Sequence, residues 1–523
     1  MYGGHVKRAS SGAPRCPLPT APAAVRLSDP PSRAVAMKRV LLTVLLVVVV
    51  LAGVALERAL TFRSLQPQAA AVATEPLDSA ALAQRLAGAV RFKTISFQDS
   101  SQFDAREFEG LHRYLRATFP KLHGALKLEK VNGYGLLYEW RGSDSGLAPV
   151  VLLAHQDVVP VEPGTEGRWT EPPFAGRIAG GYVWGRGTLD DKGSLVAILE
   201  AVEHLVLAGA KPKRTVFLAF GYDEEVSGRR GAAHIAALLA SRNVHPEFVL
   251  DEGGMLVAGF IPGIATPVAL IGIAEKGYLT VELTAQGEGG HSSMPPKETA
   301  VGMLAAAVTR LERRQMPRAI RGPTADLFDY LGPEMPLGLR LVMANRWLFG
   351  GLLAAQFGKT PYGNALLRTT TAPTMLQAGV KENVLPSTAR ALVNFRILPG
   401  DSVSTVLEHV RAAVADARIG VRPLQELVSN PSAVTSVAAE PFQLLARTIR
   451  QVLPGTVVTP WIVVGATDSR HYAGLTPNVL RFVGATIRTE DVGTIHGTNE
   501  RIGLRAYADA VRVYVQLLKN AAL

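Results

Sequence analysis

The order of apolar and polar segments predicts an α/β fold: a mostly parallel sheet, interrupted by an α+β insertion and preceded by one membrane-spanning segment. Three observations predict it. Short apolar runs alternate with helix-like stretches between residues 149 and 254. Near residue 275 the pattern changes to half-exposed strands separated by helices, and the first texture returns after 430. Close to the N-terminus, Val40 to Leu56 carries no charge over 17 residues.

Residues 1–36 are rich in Pro, Ala and Ser and read as a disordered basic tail. The expected span is 37–58, with Lys38 and Arg39 on its N-terminal side. The uncharged run is at the short end for a spanning helix, which needs about 17–25 residues, and long for a signal-peptide core of about 7–15. A signal anchor is the first reading and a signal cleaved after Ala55 the second; Met37 is an alternative start. The basic flank keeps the N-terminus cytoplasmic, which puts the body in the periplasm, a lumen or the exterior. Residues 59–75 read as a linker. The α/β domain is expected at 76–274 and 431–523, with the insertion at 275–430.

Length and a hydrophobic content of 48% allow full-sized cores. The net charge of +11 suggests an anionic partner. However, seven basic residues against Asp29 alone lie in 1–39, so the folded part is only mildly basic. No basic-aromatic stripe supports nucleic-acid binding. Cys16 is the one cysteine, so the fold contains no internal disulfide.

Within the α/β part, "PVVLLAHQD" (149–157), "TVFLAFGYDEE" (215–225) and "EFVLDEGG" (247–254) read as buried strands. Each ends in polar residues: His155 and Asp157, then Asp223, Glu224 and Glu225, then Asp251. These are carboxyl ends of strands, where open α/β sheets place ligands. The helix-like stretches are 193–209 and 230–240. In the insertion, "GYLTVELTAQG" and "ALVNFRILPG" read as strands, and 300–314 and 402–417 as helices. Residues 316–378 form a long apolar addition. Its stretch 337–357 contains Arg340, Asn345 and Arg346, which argues against a second span.

Taken singly, these polar groups are ordinary surface patterns. Together they suit a metal site. In "HQD", i and i+2 share a strand face, so Asp157 can support a metal-bound His155. In "DEE", one carboxylate can bind metal while its neighbour acts as a base. "GRGTLDDKG" (185–193) places two aspartates among glycines that allow close backbone approach. One carboxylate can bridge two metals about 3.5–4 Å apart, and a water between them becomes a hydroxide near neutral pH. His496 in "IHGTNERI" completes a mixed N/O set that suits Zn²⁺.

The order His, Asp, Glu, Asp, His, with these neighbours, resembles the dinuclear zinc peptidases related to carboxypeptidase S, aminoacylase and succinyl-diaminopimelate desuccinylase. The likeness runs from about residue 80 to the C-terminus and is nearest to the carboxypeptidase S and N-fatty-acyl-amino-acid hydrolase branch. It implies two Zn²⁺, with Co²⁺ or Mn²⁺ as substitutes. His155, Asp190 and Asp251 would hold one ion, and Asp190, Glu225 and His496 the other, with Asp190 as the bridge and a cis bond after it. Glu224 would be the general base and Asp157 would orient His155. The insertion would be a lid through which members commonly dimerise. His291 would polarise the scissile carbonyl, from the same or a partner subunit. Asn383, Arg396, Gly465, Thr467 and Arg470 would meet the substrate.

The implied activity is hydrolysis of a peptide or N-acyl amide next to an amino acid with a free carboxylate. Alternatives are an N-fatty-acyl-amino-acid hydrolase or synthase, an aminoacylase or dipeptidase for small soluble amides, and a membrane-tethered binding protein with a dead site. The apolar addition at 316–378 is the expected place for a hydrophobic acyl chain.

Overall fold

A computed structural model describes Met1, Gly3, and residues 12–14, 33–424 and 428–523. Most of the expected tail, including Cys16, lies outside the described residues. The chain divides into two units, Met1–Ala55 and Leu56–Leu523. The helices used below are, in chain order, α1 (Arg33–Thr61), α2 (Lys192–Leu207), α3 (Ala232–Ser241), α4 (Ala300–Arg313), α5 (Leu337–Ala344), α6 (Arg346–Phe357), α7 (Val403–Val414) and α8 (Leu504–Ala522). The strands are β1 (Lys127–Val131), β2 (Gly135–Trp140), β3 (Val150–His155), β4 (Val216–Gly221), β5 (Phe248–Ala258), β6 (Val268–Glu275), β7 (Gly277–Gln286), β8 (Thr370–Ala378), β9 (Thr388–Ile397), β10 (Ile419–Pro423), β11 (Val457–Val463) and β12 (Val479–Arg488).

Helix α1 makes up most of the first unit's described residues. Its stretch Met37–Thr61 has a mean hydropathy of 2.8 and, among the described residues, is the one helix long and apolar enough to cross a membrane. It runs three residues beyond the expected end at 58. The rest of the expected linker is irregular but docked. Gln66 is buried, donating Nε2 to the Val458 carbonyl at 2.9 Å and accepting the Val458 amide at 2.7 Å. One side chain thus satisfies both backbone groups of an edge-strand residue.

The main sheet has eight strands in the order β1-β2-β4-β3-β5-β12-β6-β11. Its centre, from β4 through β3 and β5 to β12, is parallel. The pairs β1–β2, β2–β4 and β12–β6 are antiparallel, and β6–β11 is parallel again. The expected mostly parallel sheet is therefore a mixed sheet with a parallel centre. Both faces are covered, which is why "VVLLAH" and "VFLAFG" are buried at every residue. Alternation sends Leu152 and Ala154 into one apolar cluster with Ile198 and Val202 of α2 and Val515 of α8. Val151 and Leu153 join Ile235 and Leu239 of α3 on the other face.

A second sheet, β8-β9-β7-β10, is antiparallel throughout. Its alternation gives it one buried face. Leu279, Val281 and Leu283 of β7 and Val393 and Phe395 of β9 pack with Leu304 and Leu311 of α4 and Val406 and Val410 of α7. Opposite them, Thr280, Asn394 and Arg396 stay partly exposed. This sheet and its helices fall within the expected insertion, and their apolar cluster is separate from those of the main sheet.

The addition at 316–378 is mainly helical. Leu327, Phe328, Leu331, Met335 and Met343 pack on Leu270, Val457, Trp461 and Ile462 at the β6–β11 side of the main sheet. Helices α5 and α6 have 8 and 12 residues, too few to cross a bilayer.

Phe395 is fully buried between the second sheet and its helices. Phe395→Ala should destabilise that layer by about 3–5 kcal/mol, the usual cost of deleting a buried aromatic ring. Denaturant unfolding followed by limited proteolysis within 277–423 reads this. An unchanged midpoint would contradict the packing described.

Candidate metal centre

Two strand ends, the middle of a third strand and two loops meet at the carboxyl edge of the parallel centre. β3 ends on His155. β4 is followed by a single 3-10 turn, Glu224–Val226. β5 contains Asp251 and Glu252. The loop 185–191 leads into α2, and the loop carrying His496 leads into α8.

His155 is 1% exposed. Its Nδ1 donates to the Asp157 carbonyl at 3.0 Å and lies 3.3 Å from the Asp157 carboxylate. This fixes the ring so that Nε2 faces Asp190 Oδ1 at 2.9 Å. The other Asp190 oxygen, Oδ2, faces His496 Nε2 at 3.0 Å, and that nitrogen also lies 3.2 Å from Glu225 Oε2. One carboxylate therefore meets two histidines, one through each oxygen. Asp157 also accepts the Glu224 and Glu225 amides at 3.2 and 3.1 Å. A single buried side chain thus ties the histidine at one strand end to the carboxylate pair at the next. Gln156, between His155 and Asp157, points the other way and donates to the carbonyls of Tyr134, Phe220 and Gly221.

The loop 185–191 is held by Glu500, a residue that motif reading missed. Its Oε1 accepts the amides of Gly187, Leu189 and Asp190 at 2.9, 2.9 and 3.2 Å. Its Oε2 accepts Arg186 Nη1 at 2.6 Å, and Arg186 Nη2 donates to the carbonyls of His496 and Gly497. The Asp190 loop and the His496 loop are thereby fastened to each other. The close packing explains two glycines. A Cβ at Gly193 would lie 2.3 Å from the Thr188 carbonyl, and Gly185 has φ +145° with Pro173 O 2.8 Å from its would-be Cβ. The Asp190–Asp191 peptide is cis.

Asp251, expected in the ligand set, is buried close to Asp191. Its oxygens accept the amides of Glu252 at 2.9 Å and Ser469 at 2.7 Å. Strand β5 continues through both acidic residues, so they point to opposite sides. Asp251 faces the loop 467–469, where Glu275 also accepts the Thr467 amide and hydroxyl and the buried Arg481 Nε. Glu252 faces the histidine, with Oε1 3.8 Å from His155 Nε2. Two donor groups follow: His155 with Asp190 and Glu225, and His155 with Asp191 and Glu252. No sequence signal chose between the adjacent Asp251 and Glu252, since strand register decides it.

Burial acts on every group here. It pushes the Glu224, Glu252 and Asp191 carboxyls well above the ordinary range, with neighbouring carboxylates adding to the effect. Glu225 is raised for the same reasons, burial first. Burial opposes protonation of His155, but its bonds to Asp157 and Asp190 outweigh this and hold its pKa well above the usual value. Hydrogen bonds to Asp190 and Glu225 push His496 up to about 10. Packing four carboxylates and two histidines this tightly is costly unless divalent cations neutralise them. Glu225 Oε1 is buried without a hydrogen-bond partner, leaving lone pairs for such an ion. Mixed N/O donors, with a carboxylate shared between two histidines, fit a pair of ions of the Zn²⁺ type.

The centre opens into a cavity of about 270 Å³. Asp190, Glu224, Glu225, Glu252 and His496 line its polar side, and Met255, Val463, Val483, Ile487, Ile495 and Ile502 its apolar side. Gly465 and Thr467 are in its wall. His291, Asn383, Arg396 and Arg470 are not among the lining residues. His291 is exposed on a two-stranded ribbon, pairing with Val384, while the Asn383 carbonyl accepts the Ser292 amide at 3.1 Å. Arg396 lies over the Tyr278 ring at 4.7 Å. Burial lowers its pKa, and the charge of Arg470 contributes in the same direction.

Residues 151–520 match the model of Peptidase family M20/M25/M40. The chain is 42% identical to "Probable carboxypeptidase S-like 2" of Dictyostelium discoideum, over 88% of this chain and 90% of that protein. It is 42% identical to "N-fatty-acyl-amino acid synthase/hydrolase PM20D1" of Xenopus tropicalis, over 84% and 86%. Identity to carboxypeptidase S of Saccharomyces cerevisiae is 33%, over 84% and 83%. Among solved structures, an M20 family metallo-carboxypeptidase from Sulfolobus solfataricus superposes with a TM-score of 0.59 at 21% identity, covering 84% of this chain and 98% of that one. A dinuclear metal binding peptidase from Bacillus subtilis gives 0.51 at 14%, covering 84% and 98%.

Two outcomes follow from this geometry. Glu252→Gln should cut bound metal from two ions to one, whereas Asp251→Asn should keep both and lower thermal stability through the lost Ser469 contact. Metal analysis after dialysis separates them, and the reverse pattern would identify Asp251 as the ligand. Because His155 and His496 hold protons in the metal-free protein at pH 7, metal loading should release protons and weaken as pH falls. Calorimetry in buffers of different ionisation enthalpy counts them, and no release would contradict the assignment.

Proposed function

The chain belongs to the peptidase family M20/M25/M40 and is a metal-dependent hydrolase, and from that premise we propose that it cleaves an amide bond next to an amino acid with a free carboxylate. The observation that carries this reading is the shared Asp190 carboxylate, with Glu224 beside it in the cavity wall. His155, Glu252 and the Asp190–Asp191 pair would hold one ion, and Asp190, Glu225 and His496 the other. Zn²⁺ suits these donors best, with Co²⁺ or Mn²⁺ as substitutes. When bound, such a pair supplies Lewis acidity and makes water acidic enough to serve as a nucleophile near neutral pH.

Glu224 receives the proton of the attacking water on its carboxylate. As the C–N bond breaks, it passes that proton to the departing nitrogen, leaving a free amine and a carboxylic acid. Burial raises its pKa, which favours holding the proton between the two steps. Asp157 keeps the His155 ring oriented throughout. Thr467 and Gly465 position the substrate in the cavity, and Arg396 and Arg470 attract its free carboxylate. The 275–430 region, with the second sheet and the addition at 316–378, acts as a lid over the centre. It carries His291 and Asn383 on its ribbon to the scissile carbonyl when it closes. Its edge strand β8 exposes Met375 and Leu376, a surface on which a second copy can pair. Helix α1 serves as a signal anchor with the body outside the cytoplasm, or as a signal that is removed.

The apolar side of the cavity favours an N-acyl-amino acid with a hydrophobic acyl group over a small dipeptide. That side belongs mainly to the main-sheet domain rather than to 316–378. Medium- and long-chain acyl-amino acids should therefore turn over faster than polar dipeptides. Faster dipeptide hydrolysis would point to the aminoacylase or dipeptidase alternative. Glu224→Gln should lower kcat by about 100- to 10,000-fold while both ions stay bound. Unchanged kcat would remove Glu224 from the reaction.

A further inference from the structure

Helices α5 and α6 are apolar where they meet solvent. α6 reads RWLFGGLLAAQF, yet none of its residues is buried. Leu337, Leu339, Trp347, Leu348 and Leu352 are each between 41% and 65% exposed. Leu348 and Leu352 are one turn apart and share a face. A soluble surface seldom leaves so many large apolar side chains together.

Chain connectivity indicates what covers them. The apolar stretch of α1 ends at Thr61 and is bonded directly to Phe62. Phe62 packs into the same apolar cluster as Met343 of α5 and Leu353 and Phe357 of α6. Four residues later, Gln66 locks the chain to Val458. Whatever direction α1 takes, the point where the chain leaves it is fixed against the base of these two helices. If α1 spans a bilayer, the lipid surface lies beside them. Their composition suits that place. Trp347 keeps its indole N–H bonded to Asn345 Oδ1 at 3.1 Å, the arrangement of an interfacial tryptophan with a satisfied donor. Residues 313–368 carry eight arginines and lysines against three acidic residues, a balance that favours anionic headgroups.

We propose that α5 and α6 lie in the headgroup region of the bilayer that α1 enters, so that the body is seated on the membrane rather than hung from it. This rests on the reading of α1 as an anchor. The same apolar cluster includes Met255, which also lines the metal cavity.

The test uses the full chain with Cys16→Ser, reconstituted into phosphatidylcholine–phosphatidylglycerol vesicles. Single cysteines replace Val48, Leu348, Leu352 or Arg505 and carry a nitroxide. At Leu348→Cys and Leu352→Cys, oxygen should relax the label more than a water-soluble nickel chelate does. Arg505→Cys, whose native side chain is 95% exposed, should show the opposite. Chelate access at Leu348→Cys and Leu352→Cys equal to that at Arg505→Cys would overturn the proposal, and a lipid signal at Val48→Cys in the same experiment would leave the anchor reading intact. Water access at Val48→Cys would refute the anchor itself and the proposal with it, whereas the chelate result at Leu348→Cys and Leu352→Cys alone would refute only the seating of the body. Dipolar broadening between labels in both detergent and vesicles would assign the face to a second copy and overturn the lipid reading. Should labelling disturb folding, brominated lipid provides a second route. It should quench the parent protein's fluorescence more than that of Trp347→Phe, and equal quenching would count against the proposal.

Discussion

The metal centre depends on one carboxylate meeting two histidines. Asp190 presents Oδ1 to His155 and Oδ2 to His496, both at hydrogen-bond distance. The histidines come from opposite ends of the fold, one from the end of β3 and one from the loop before the last helix. Bringing them to a single aspartate requires both loops to be rigid. Glu500 provides that rigidity with three backbone amides and Arg186, at a position where its carboxylate is wholly buried. Burial raises the Glu500 carboxyl as it raises Glu224 and Glu252, but four donors fix its position. The difference separates Glu500, which organises the loop, from Glu224 and Glu252, which line the cavity with few fixed partners.

The parallel centre of the sheet sets the geometry. β4, β3 and β5 run side by side in one direction, and β4 and β3 end near the point where β5 leaves its pairing with β3 at Leu250. His155, the Glu224–Glu225 turn and Glu252 therefore converge without long loops. Asp157 bridges two of these ends by accepting both glutamate amides while facing the histidine ring. β1 and β2 at one margin add no residue to the cavity wall; at the other, β11 supplies Val463 to that wall, Glu275 at the end of β6 holds Thr467, and both strands give the helical addition a surface to pack on.

Much of this was legible in the sequence because it rests on local pattern. Continuous apolar runs marked β3 and β4, and the polar residues immediately after them marked the edge. Alternation marked β7 and β9 as one-sided strands. What was not legible depends on register or on distant partners. "LDEGG" offers two adjacent acids, and only the continuation of β5 past them decides that Glu252 faces the histidine while Asp251 faces Ser469. Glu500 looked like an ordinary charge near a histidine, because its partners lie in a loop far earlier in the chain. The mixed character of the sheet was hidden too, since an antiparallel margin and a parallel centre draw on the same apolar residues. The stretch 337–357 was correctly separated from a membrane span by its polar residues, but sequence alone did not show that its apolar residues would remain outside.

The two-ion site depends on Asp190 as the shared ligand. Its most direct measurement is the metal content of Asp190→Ala, taken by mass spectrometry after dialysis on protein whose circular dichroism matches the parent. The geometry predicts that both ions are lost together. Retention of one full equivalent would show that the two positions are independent, and would contradict the shared carboxylate on which the structure of the site is argued.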